Sequence, residues 1–472
     1  MAADKIRFGA FIAPFHPLDE NPSLALHRDM ELIELLDKLG YEEAWIGEHH
    51  SAAFEIIGSP EVFIAAAIER TKQIRLGTGV SSLAYHHPLM LAERINMLDH
   101  LSRGRVMFGV GPGALVSDAF MMGIEPSEIR DRMDEALEVL VPLMRGEVVT
   151  HKASWFELDH ARIHMDPYSR PSVEMAVANQ GSPSGARAAG KHGIHVLSIG
   201  ATSTGGFNGL ASNWAIAEEQ AKLHGKTMDR NGWRLVGPMH IAETREQALA
   251  EIRFGMGKWI HYFQRIANIP LISPDAEDPV QDMVETGFAV IGTPEDAIRR
   301  LEQLVVQSGG FGCFLLLANN WAPWEATKRS YDMFQRYVVP HFQGLNKNRT
   351  DSIDWVQLNK PEFNAKSQAA VAARIVAHIK ESGTKNIAPE ILQMMGMNDK
   401  PKTNGRAKAK VAPKAVANGR TKPKAATKAN GAAGSKAAAK SGANGKAKVA
   451  ARSSPKAAPK SKTRPRPPAR AR

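Results

Sequence analysis

The 472-residue sequence has a single cysteine, Cys313, and no apolar stretch of about 18 residues. One cysteine cannot form an internal disulfide, and without a long apolar stretch no membrane-spanning helix is expected. The first residues lead into strand-like sequence without the basic and apolar regions of a secretory signal. We therefore expect a soluble, cytoplasmic protein in which Cys313, within an apolar run, is a core residue.

Aromatic and acidic residues are absent from residue 401 to residue 472, a stretch that contains 21 Lys and Arg. This number exceeds the net charge of the whole chain, +11, by ten, so the first 400 residues carry −10. A segment that consists almost entirely of Ala, Lys, Arg, Pro, Gly, Asn and Ser cannot bury enough apolar surface to fold alone, which predicts a disordered basic tail. Three roles stay open for it: a solubilising extension, binding to a polyanion, and attraction to the acidic remainder of the chain.

Residues 1–343 alternate short apolar runs with longer helical patterns, which is typical of βα units and a parallel sheet. The predicted strands are Arg7–Ile12, Ala44–Gly47, Ile74–Thr78, Val106–Val110, Val173–Val177, His195–Ile199, Leu235–Ile241 and Cys313–Leu317. Eight strands favour a closed (β/α)8 TIM barrel. A doubly wound open sheet is the alternative, but it would place a glycine-rich turn after the first strand, where the sequence reads Pro14-Phe15-His16-Pro17.

Helical patterns lie between these strands. The predicted helices are Leu24–Leu39 (ended by Gly40), Pro60–Thr71, Leu89–Leu101, Arg130–Met144, Ser184–His192, Asn213–His224, Arg245–Ile260, Pro294–Gln307 and Trp324–Val338. Residues 266–288 form a long acidic connector, and such connectors are usually lids or disordered. Residues 344–400 form a polar extension with one amphipathic stretch near Ala369–Ile379, which packs either on the barrel or on a partner.

Polar residues that directly follow a barrel strand are the candidate site residues, because the active site of such barrels lies at the carboxyl ends of the strands. Glu48-His49-His50 follows the second strand. Neighbouring side chains on an extended segment point to opposite faces, so the two histidines are poorly placed to bind one metal, and no metal site is predicted. A histidine with a pKa near neutrality suits proton transfer, and a hydrogen-bonded structural pair is the alternative.

Three further segments follow predicted strands. They are Gly77-Thr78-Gly79-Val80-Ser81-Ser82, Phe108-Gly109-Val110-Gly111-Pro112-Gly113 and Asn179-Gln180-Gly181-Ser182-Pro183-Ser184. Small residues let a planar ligand approach the backbone, although the second segment lacks the GxGxxG spacing of a nucleotide loop. In the third segment Ser182 is expected to cap a helix that begins at Pro183, and that helix terminus would either bind a phosphate or simply be capped.

Taken together, these segments resemble the bacterial luciferase-like flavin monooxygenases from residue 5 to about residue 343. The motifs that carry the resemblance are Phe8-Gly9-Ala10-Phe11, residues 40–50, residues 74–79, His87-Pro88, residues 98–105 and Gly292-Thr293-Pro294-Glu295. Each motif is short, but their order and spacing are specific to the family.

The resemblance implies a flavin-dependent monooxygenase that binds reduced flavin, either FMN or FAD. Its reaction with O2 would give a C4a-peroxyflavin, which inserts one oxygen atom into a small hydrophobic substrate such as a terpene or a ketone. NAD(P)H would act only indirectly, through a separate flavin reductase, since no nicotinamide-binding fingerprint is present. A homodimer is also implied, and residues 266–288 match the position of the family's mobile lid, which keeps water from the reaction.

The resemblance also implies roles for individual residues. The active-site histidine falls on His49, and the small residues under the flavin ring fall on Gly79 and Val80. Phosphate contacts fall near Gly181 and Ser182.

Other positions follow less directly from the resemblance. Arg130 is a further expected phosphate contact, and Gly111 lies at the flavin where the light-emitting family members have a reactive cysteine. Pro112 replaces an arginine that binds phosphate in those members, so light emission is not implied. The residues expected to line the substrate pocket are Phe11, Phe15, Glu48 and Phe54.

Two alternative functions stay open from the sequence. The first is a hydride-transfer enzyme that uses a deazaflavin (F420) on the same fold. The second is a flavin-binding protein without turnover, because a fold does not determine a function.

Overall fold

The computed structural model describes residues 5–13, 15–267, 271–273 and 275–397. Its strands are β1 (Arg7–Ile12), β2 (Glu43–Ile46), β3 (Arg75–Thr78), β4 (Ser81–Ser82), β5 (Val106–Gly111), β6 (Val149–Lys152), β7 (Glu157–Ala161), β8 (Glu174–Asn179), β9 (His195–Ser198), β10 (Arg234–Gly237), β11 (Met239–Ile241), β12 (Val290–Gly292) and β13 (Cys313–Leu317).

Eight parallel strands close into a barrel in the order β1, β2, β3, β5, β8, β9, β10 and β13, with β13 paired to β1. The predicted TIM barrel is confirmed, and seven of its eight strands end within two residues of their predicted limits. The exception is Leu235–Ile241, which is two strands. Pro238 has no backbone N–H for the ladder, so β10 stays in the barrel while β11 pairs with β12 outside it.

The helices are α1 (Pro22–Leu39), α2 (Pro60–Ile68), α3 (Pro88–Ser102), α4 (Val116–Met121), α5 (Ile129–Met144), α6 (Ser184–His192), α7 (Thr204–Leu223), α8 (Arg245–Ile252), α9 (Met256–Arg265), α10 (Pro279–Glu285), α11 (Pro294–Ser308), α12 (Trp324–Met333), α13 (Val339–Gln343), α14 (Lys347–Leu358), α15 (Lys360–Ser382) and α16 (Pro389–Met394). A short π-helical turn, Phe334–Val338, joins α12 to α13. Gly40 ends α1 as predicted, with a left-handed φ of 86° that costs glycine little.

The single helix predicted over Arg245–Ile260 is instead α8 and α9, separated near Gly255. A Cβ atom on Gly255 would lie 2.0 Å from the carbonyl oxygen of Asn320, so the chain bends where it passes close to the loop after β13. The hairpin of β6 and β7 and the short helices α4 and α10 were not predicted. Helix α10 occupies part of the 266–288 connector, of which residues 268–270 and 274 lie outside the described residues.

The chain divides into two compact units at residue 378. Helix α14, in the first unit, has no buried residue. The predicted basic tail, 401–472, lies outside the described residues. Within the described ranges, no helix is both long enough and apolar enough to cross a membrane.

The amino ends of the barrel strands meet in a buried cluster of charges. The Arg234 guanidinium lies 2.9 Å from one Glu43 oxygen and also pairs with Glu174, and both Arg234 and Glu43 are fully buried. Burial alone would raise the pKa of Glu43, but the adjacent guanidinium outweighs burial and lowers it to about 2. This end of the barrel is therefore filled by an internal ion network, which leaves the opposite, carboxyl end for a ligand.

Candidate active site

His49 lies in the loop after β2, between two carboxylates at the carboxyl end of the barrel. Its Nδ1 atom is 3.2 Å from Oδ2 of Asp118, which α4 supplies after β5. Its Nε2 atom is 3.4 Å from Oε2 of Glu55, which follows six residues later in the same loop. Both ring nitrogens of the predicted catalytic histidine therefore face acceptors within the protein.

The two carboxylates control the protonation of His49. Burial favours the neutral ring, but Glu55 and Asp118 outweigh burial and raise the pKa of His49 above its usual value. Burial alone would likewise raise the pKa of Asp118, yet its hydrogen bonds with His49 and Ser51 lower it. Burial raises the pKa of Glu55. A histidine in this setting can hold a proton near neutral pH and donate it as a general acid.

Glu48 connects the loops after β2 and β3. Its Oε1 atom accepts hydrogen bonds from Nε2 of His50, at 2.8 Å, and from Nε2 of His86, at 2.7 Å. Its Oε2 atom accepts one from the backbone N–H of Ser82 at 2.8 Å. His49 and His50 thus turn to different partners, as expected for neighbours on an extended segment. Since both oxygens of the buried Glu48 are engaged, it holds these loops together, and its place in the substrate pocket stays a prediction.

Gly79, Val80 and Gly111 come together at the same end of the barrel. Ser82 of β4 pairs with Gly111 of β5, so residues 79 and 80 lie directly beside the end of β5. A Cβ atom on Gly111 would lie 2.6 Å from Cγ2 of Val80, and one on Gly79 would lie 2.9 Å from Cβ of Trp45. The peptide bond between Gly79 and Val80 is cis. Side chains at the two glycines would collide with these neighbours, so only glycine lets the strand ends pack this closely. We call the surface formed by Gly79, Val80 and Gly111 the glycine floor.

Several buried polar atoms near this floor have no hydrogen-bond partner among the described residues. They are the Ser81 hydroxyl, the Tyr85 hydroxyl and both side-chain amide atoms of Asn179, the last residue of β8. Unpartnered buried polar groups carry a free-energy cost, so a ligand with donors and acceptors along its edge would stabilise them. The glycine floor and these polar atoms fit a flavin ring, which is flat and carries such groups at one edge.

The segment at the start of α6 differs from its prediction. The helix begins at Ser184 with Pro183 at the cap position, and the Ser182 hydroxyl bonds the Ser184 hydroxyl at 2.8 Å. The expectation that Ser182 caps the helix backbone was therefore wrong, because its hydroxyl is engaged by Ser184 and no side chain caps the start of α6. Nothing lies within 4 Å of a Cβ placed on Gly181, so this terminus is open to a ligand.

Arg130, in the first turn of α5, is exposed and makes no ion pair within the described part of the chain. Helices α5 and α6 are neighbours joined by the pair of Glu138 and Lys191, and both start on the carboxyl side of the barrel. Arg130 and Ser182 therefore share one face of the molecule. Their roles as phosphate contacts stay predictions.

Aromatic side chains form a wall beside His49. Phe15 and Phe54 stack with their centroids 4.9 Å apart, and Tyr262 of α9 packs 4.8 Å from Phe54. Phe11 lies further in, within the apolar barrel interior next to Trp45. Phe15 and Tyr262 are almost fully buried in this cluster, and the places of Phe11, Phe15 and Phe54 in a substrate pocket stay predictions. In the part of the chain that the structure describes, no three His, Cys, Asp or Glu side chains are grouped to hold a metal ion.

The sequence interpretation missed Asp118, Glu55 and Tyr262. Asp118 follows β5 within seven residues, so the rule that selected Glu48-His49-His50 applies to it as well. Asp118 could have been selected as an acidic residue soon after a barrel strand, but the interpretation considered only the glycine-rich segment at the end of that strand. Glu55 and Tyr262 have no local signal, because only the tertiary fold brings α9 over the loop after β2.

Comparison with known proteins identifies relatives over most of the chain. A family model described as luciferase-like monooxygenase matches residues 6–311. Limonene 1,2-monooxygenase of Rhodococcus erythropolis is 44% identical, with 78% of this chain and 98% of the relative covered. 4-Hydroxyprotoasukamycin monooxygenase of Streptomyces nodosus subsp. asukaensis is 42% identical, with 75% of this chain and 96% of the relative covered.

Solved structures share the fold at lower identity. The oxygenating constituent of 3,6-diketocamphane monooxygenase from Pseudomonas putida, in complex with FMN, matches with a TM-score of 0.60 and 22% identity, covering 71% of this chain and 98% of that one. An F420-dependent secondary alcohol dehydrogenase matches with a TM-score of 0.53 and 21% identity over 71% of this chain and 98% of its own. Flavin and deazaflavin enzymes thus share this architecture.

Proposed function

We propose that this chain, which belongs to the luciferase-like monooxygenase family, inserts one oxygen atom from O2 into a small hydrophobic substrate such as a monoterpene or a ketone. The chain is a flavin-dependent monooxygenase, as its relatives at 44% and 42% identity are named monooxygenases, and its family implies the flavin. The observation that carries the proposed chemistry is His49, held at both ring nitrogens beside an apolar aromatic wall.

We propose FMN as the flavin, with Gly79, Val80 and Gly111 under its ring and the open start of α6, at Gly181 and Ser182, near its phosphate. Arg130 supplies a positive charge on the same face. The bound reduced flavin supplies the electrons that activate O2. Its supply from NAD(P)H by a separate reductase, and a cytoplasmic location, belong to the same proposal.

The protein's own residues orient the substrate, keep water from the reaction and supply a proton. His49, with its raised pKa, donates a proton from Nε2 to oxygen at the ligand, and Asp118 holds the ring in place through Nδ1. The wall of Phe15, Phe54 and Tyr262 excludes water and orients an apolar substrate.

Turnover with an independent flavin reductase tests the proposal. Reduced FMN is generated in air with limonene, and incorporation of ¹⁸O from labelled O2 is followed by mass spectrometry. We expect labelled product from the wild type. His49→Asn should bind FMN normally and lose on the order of 10²-fold in rate, the usual contribution of a general acid. His341→Asn, far from the site on α13, is the matched control and should be unaffected.

Two outcomes would contradict the proposal. Turnover of alcohol or carbonyl substrates with reduced deazaflavin alone, without ¹⁸O incorporation from a panel of terpenes and ketones, would favour the hydride-transfer alternative. Full activity of His49→Asn would return His49 to a structural role.

A further inference from the structure

We propose that Tyr262 is a positioning residue for proton transfer: its hydroxyl holds Glu55 against the Nε2 atom of His49 and thereby couples the aromatic wall of the substrate pocket to the histidine. The statement that substrate binding acts on His49 through Tyr262 rests on the proposed function. The contacts among Tyr262, Glu55 and His49 do not depend on that function.

The contacts form one continuous chain. The Tyr262 hydroxyl donates to Oε1 of Glu55 at 3.2 Å, and the other Glu55 oxygen lies 3.4 Å from Nε2 of His49. Asp118 occupies Nδ1 on the far side of the ring. Tyr262 comes from α9 and is buried, so this chain joins an element outside the barrel to the loop after β2.

The proton count shows why Glu55 matters. An ionised carboxylate only accepts hydrogen bonds, so a histidine between two of them carries a proton on each nitrogen. A hydroxyl that donates to Glu55 stabilises its ionised form and so keeps the shared proton on His49. Without that donor, burial favours a protonated Glu55, and the ring loses one of its two counter-charges.

The coupling to the pocket follows from the rings. The Tyr262 ring lies 4.8 Å from Phe54 and 5.6 Å from Phe15, which stack on each other. A substrate that enters this wall contacts the ring whose hydroxyl holds Glu55. Displacement of Tyr262 would weaken its hydrogen bond to Glu55 and so lower the pKa of His49, which makes the histidine a stronger acid when the pocket is filled.

Other ionisable groups also act on this pair. Asp118 and Glu48 raise the pKa of His49, and His16, paired with Asp29 at 3.0 Å, lowers that of Glu55. His50 is held by Glu48. None of these side chains is altered in the variants below, so their influence is constant.

The test is an NMR titration of His49 in the flavin-free protein, with labelled histidine and the His49 signal assigned from His49→Asn. Tyr262→Phe removes only the hydroxyl, and we expect the pKa of His49 to fall by about one unit. Glu55→Gln should lower it at least as much, and the double variant no further than Glu55→Gln alone. Tyr331→Phe, which removes the hydroxyl of another buried tyrosine outside the site, is the control and should leave the titration unchanged.

A folded Tyr262→Phe with an unchanged His49 titration would overturn the proposal, as would an equal fall in the Glu55→Gln background, because the hydroxyl would then act independently of Glu55. If Tyr262→Phe does not fold, an unchanged titration in Glu55→Gln overturns it equally. The titration needs no turnover. Normal coupling without oxygenation would contradict only the proposed function, and oxygenation without coupling would contradict only this inference.

Discussion

Nδ1 of His49 lies 3.2 Å from Oδ2 of Asp118, although 68 residues of chain separate them. The distance is short because β2 and β5 both end at the same mouth of the barrel, and α4 begins just after β5. Asp118 also accepts a hydrogen bond from the backbone N–H of His50 at 3.2 Å. One carboxylate thus orients the ring of His49 and holds the segment that carries it.

Asp118→Asn should leave the fold intact and impair proton transfer. The amide removes a negative charge that raises the pKa of His49, so this pKa falls. If His49 acts as an acid, activity is present below its pKa and is lost as pH rises through it. We expect this limb of the pH–rate profile to move to lower pH, and the rate at pH 7.5 to drop about tenfold or more.

Asp332→Asn, which breaks an exposed pair with Arg336, is the control for that experiment. Its profile should overlay that of the wild type. An Asp118→Asn profile with an unmoved limb would show that Asp118 does not set the protonation of His49.

Gly111→Ala should weaken flavin binding without unfolding the barrel. The new methyl group would lie 2.6 Å from Cγ2 of Val80 and push that residue towards the proposed ring position. Overpacking of this kind costs about 1–3 kcal/mol, so the Kd for FMN should rise roughly tenfold, as measured by fluorescence quenching. Gly205→Ala, where nothing lies within 4 Å of the new atom, is the matched control. Equal affinities in the two variants would place the flavin elsewhere.

The barrel was predictable because its strands are short apolar runs separated by strong helical patterns, and both signals are local. His49 was predictable from its place after β2. The sequence did not predict that Glu55, Asp118 and Tyr262 lie close to one another. Their proximity depends on how α4 and α9 pack, which no local pattern encodes. Pro238 and Gly255 show the same limit: each residue is visible in the sequence, but the strand exchange and close approach they permit depend on distant partners.

Arg234→Met should strongly destabilise the protein, because it leaves Glu43 buried without its closest counter-charge. Removing one partner of a buried ion pair costs about 3–5 kcal/mol of unfolding free energy, measurable by urea denaturation at pH 7. The pKa of Glu43 is lowered to about 2 from the usual 4.5, so its contribution is present above pH 4.5 and is lost as pH falls towards 2. The deficit of the variant should therefore shrink at low pH. The double variant Glu43→Gln with Arg234→Met should recover part of the lost unfolding free energy. A loss that does not change with pH would show that the unpaired charge of Glu43 is not its cause.

The homodimer stays a prediction, and we expect its interface on a surface of α2 and α3. Val62 of α2 is 71% exposed, and Met90, Met97 and Leu101 on one side of α3 are about half exposed. Clustered exposed apolar side chains usually mark an interface. We expect a dimer by light scattering, and Met97→Asp with Leu101→Asp should convert it to a monomer. Val306→Asp on α11, which is 83% exposed, should leave the dimer intact. A double variant that stays dimeric would exclude this surface.

Polyanion binding, one of the three roles that stay open for the basic tail with its 21 cations and no anions, would proceed by release of counterions and can be tested. The full chain and a version ending at residue 400 should then differ in affinity for duplex DNA, and only the full chain should show a steep salt dependence. Between 50 and 200 mM salt, six or more phosphate contacts would lower the affinity by roughly 10³-fold. The −10 charge of residues 1–400 opposes DNA binding, so the shortened chain should not bind. Equal, weak binding of DNA by the two chains would exclude polyanion binding by the tail, because a tail that binds phosphates must raise the affinity of the full chain.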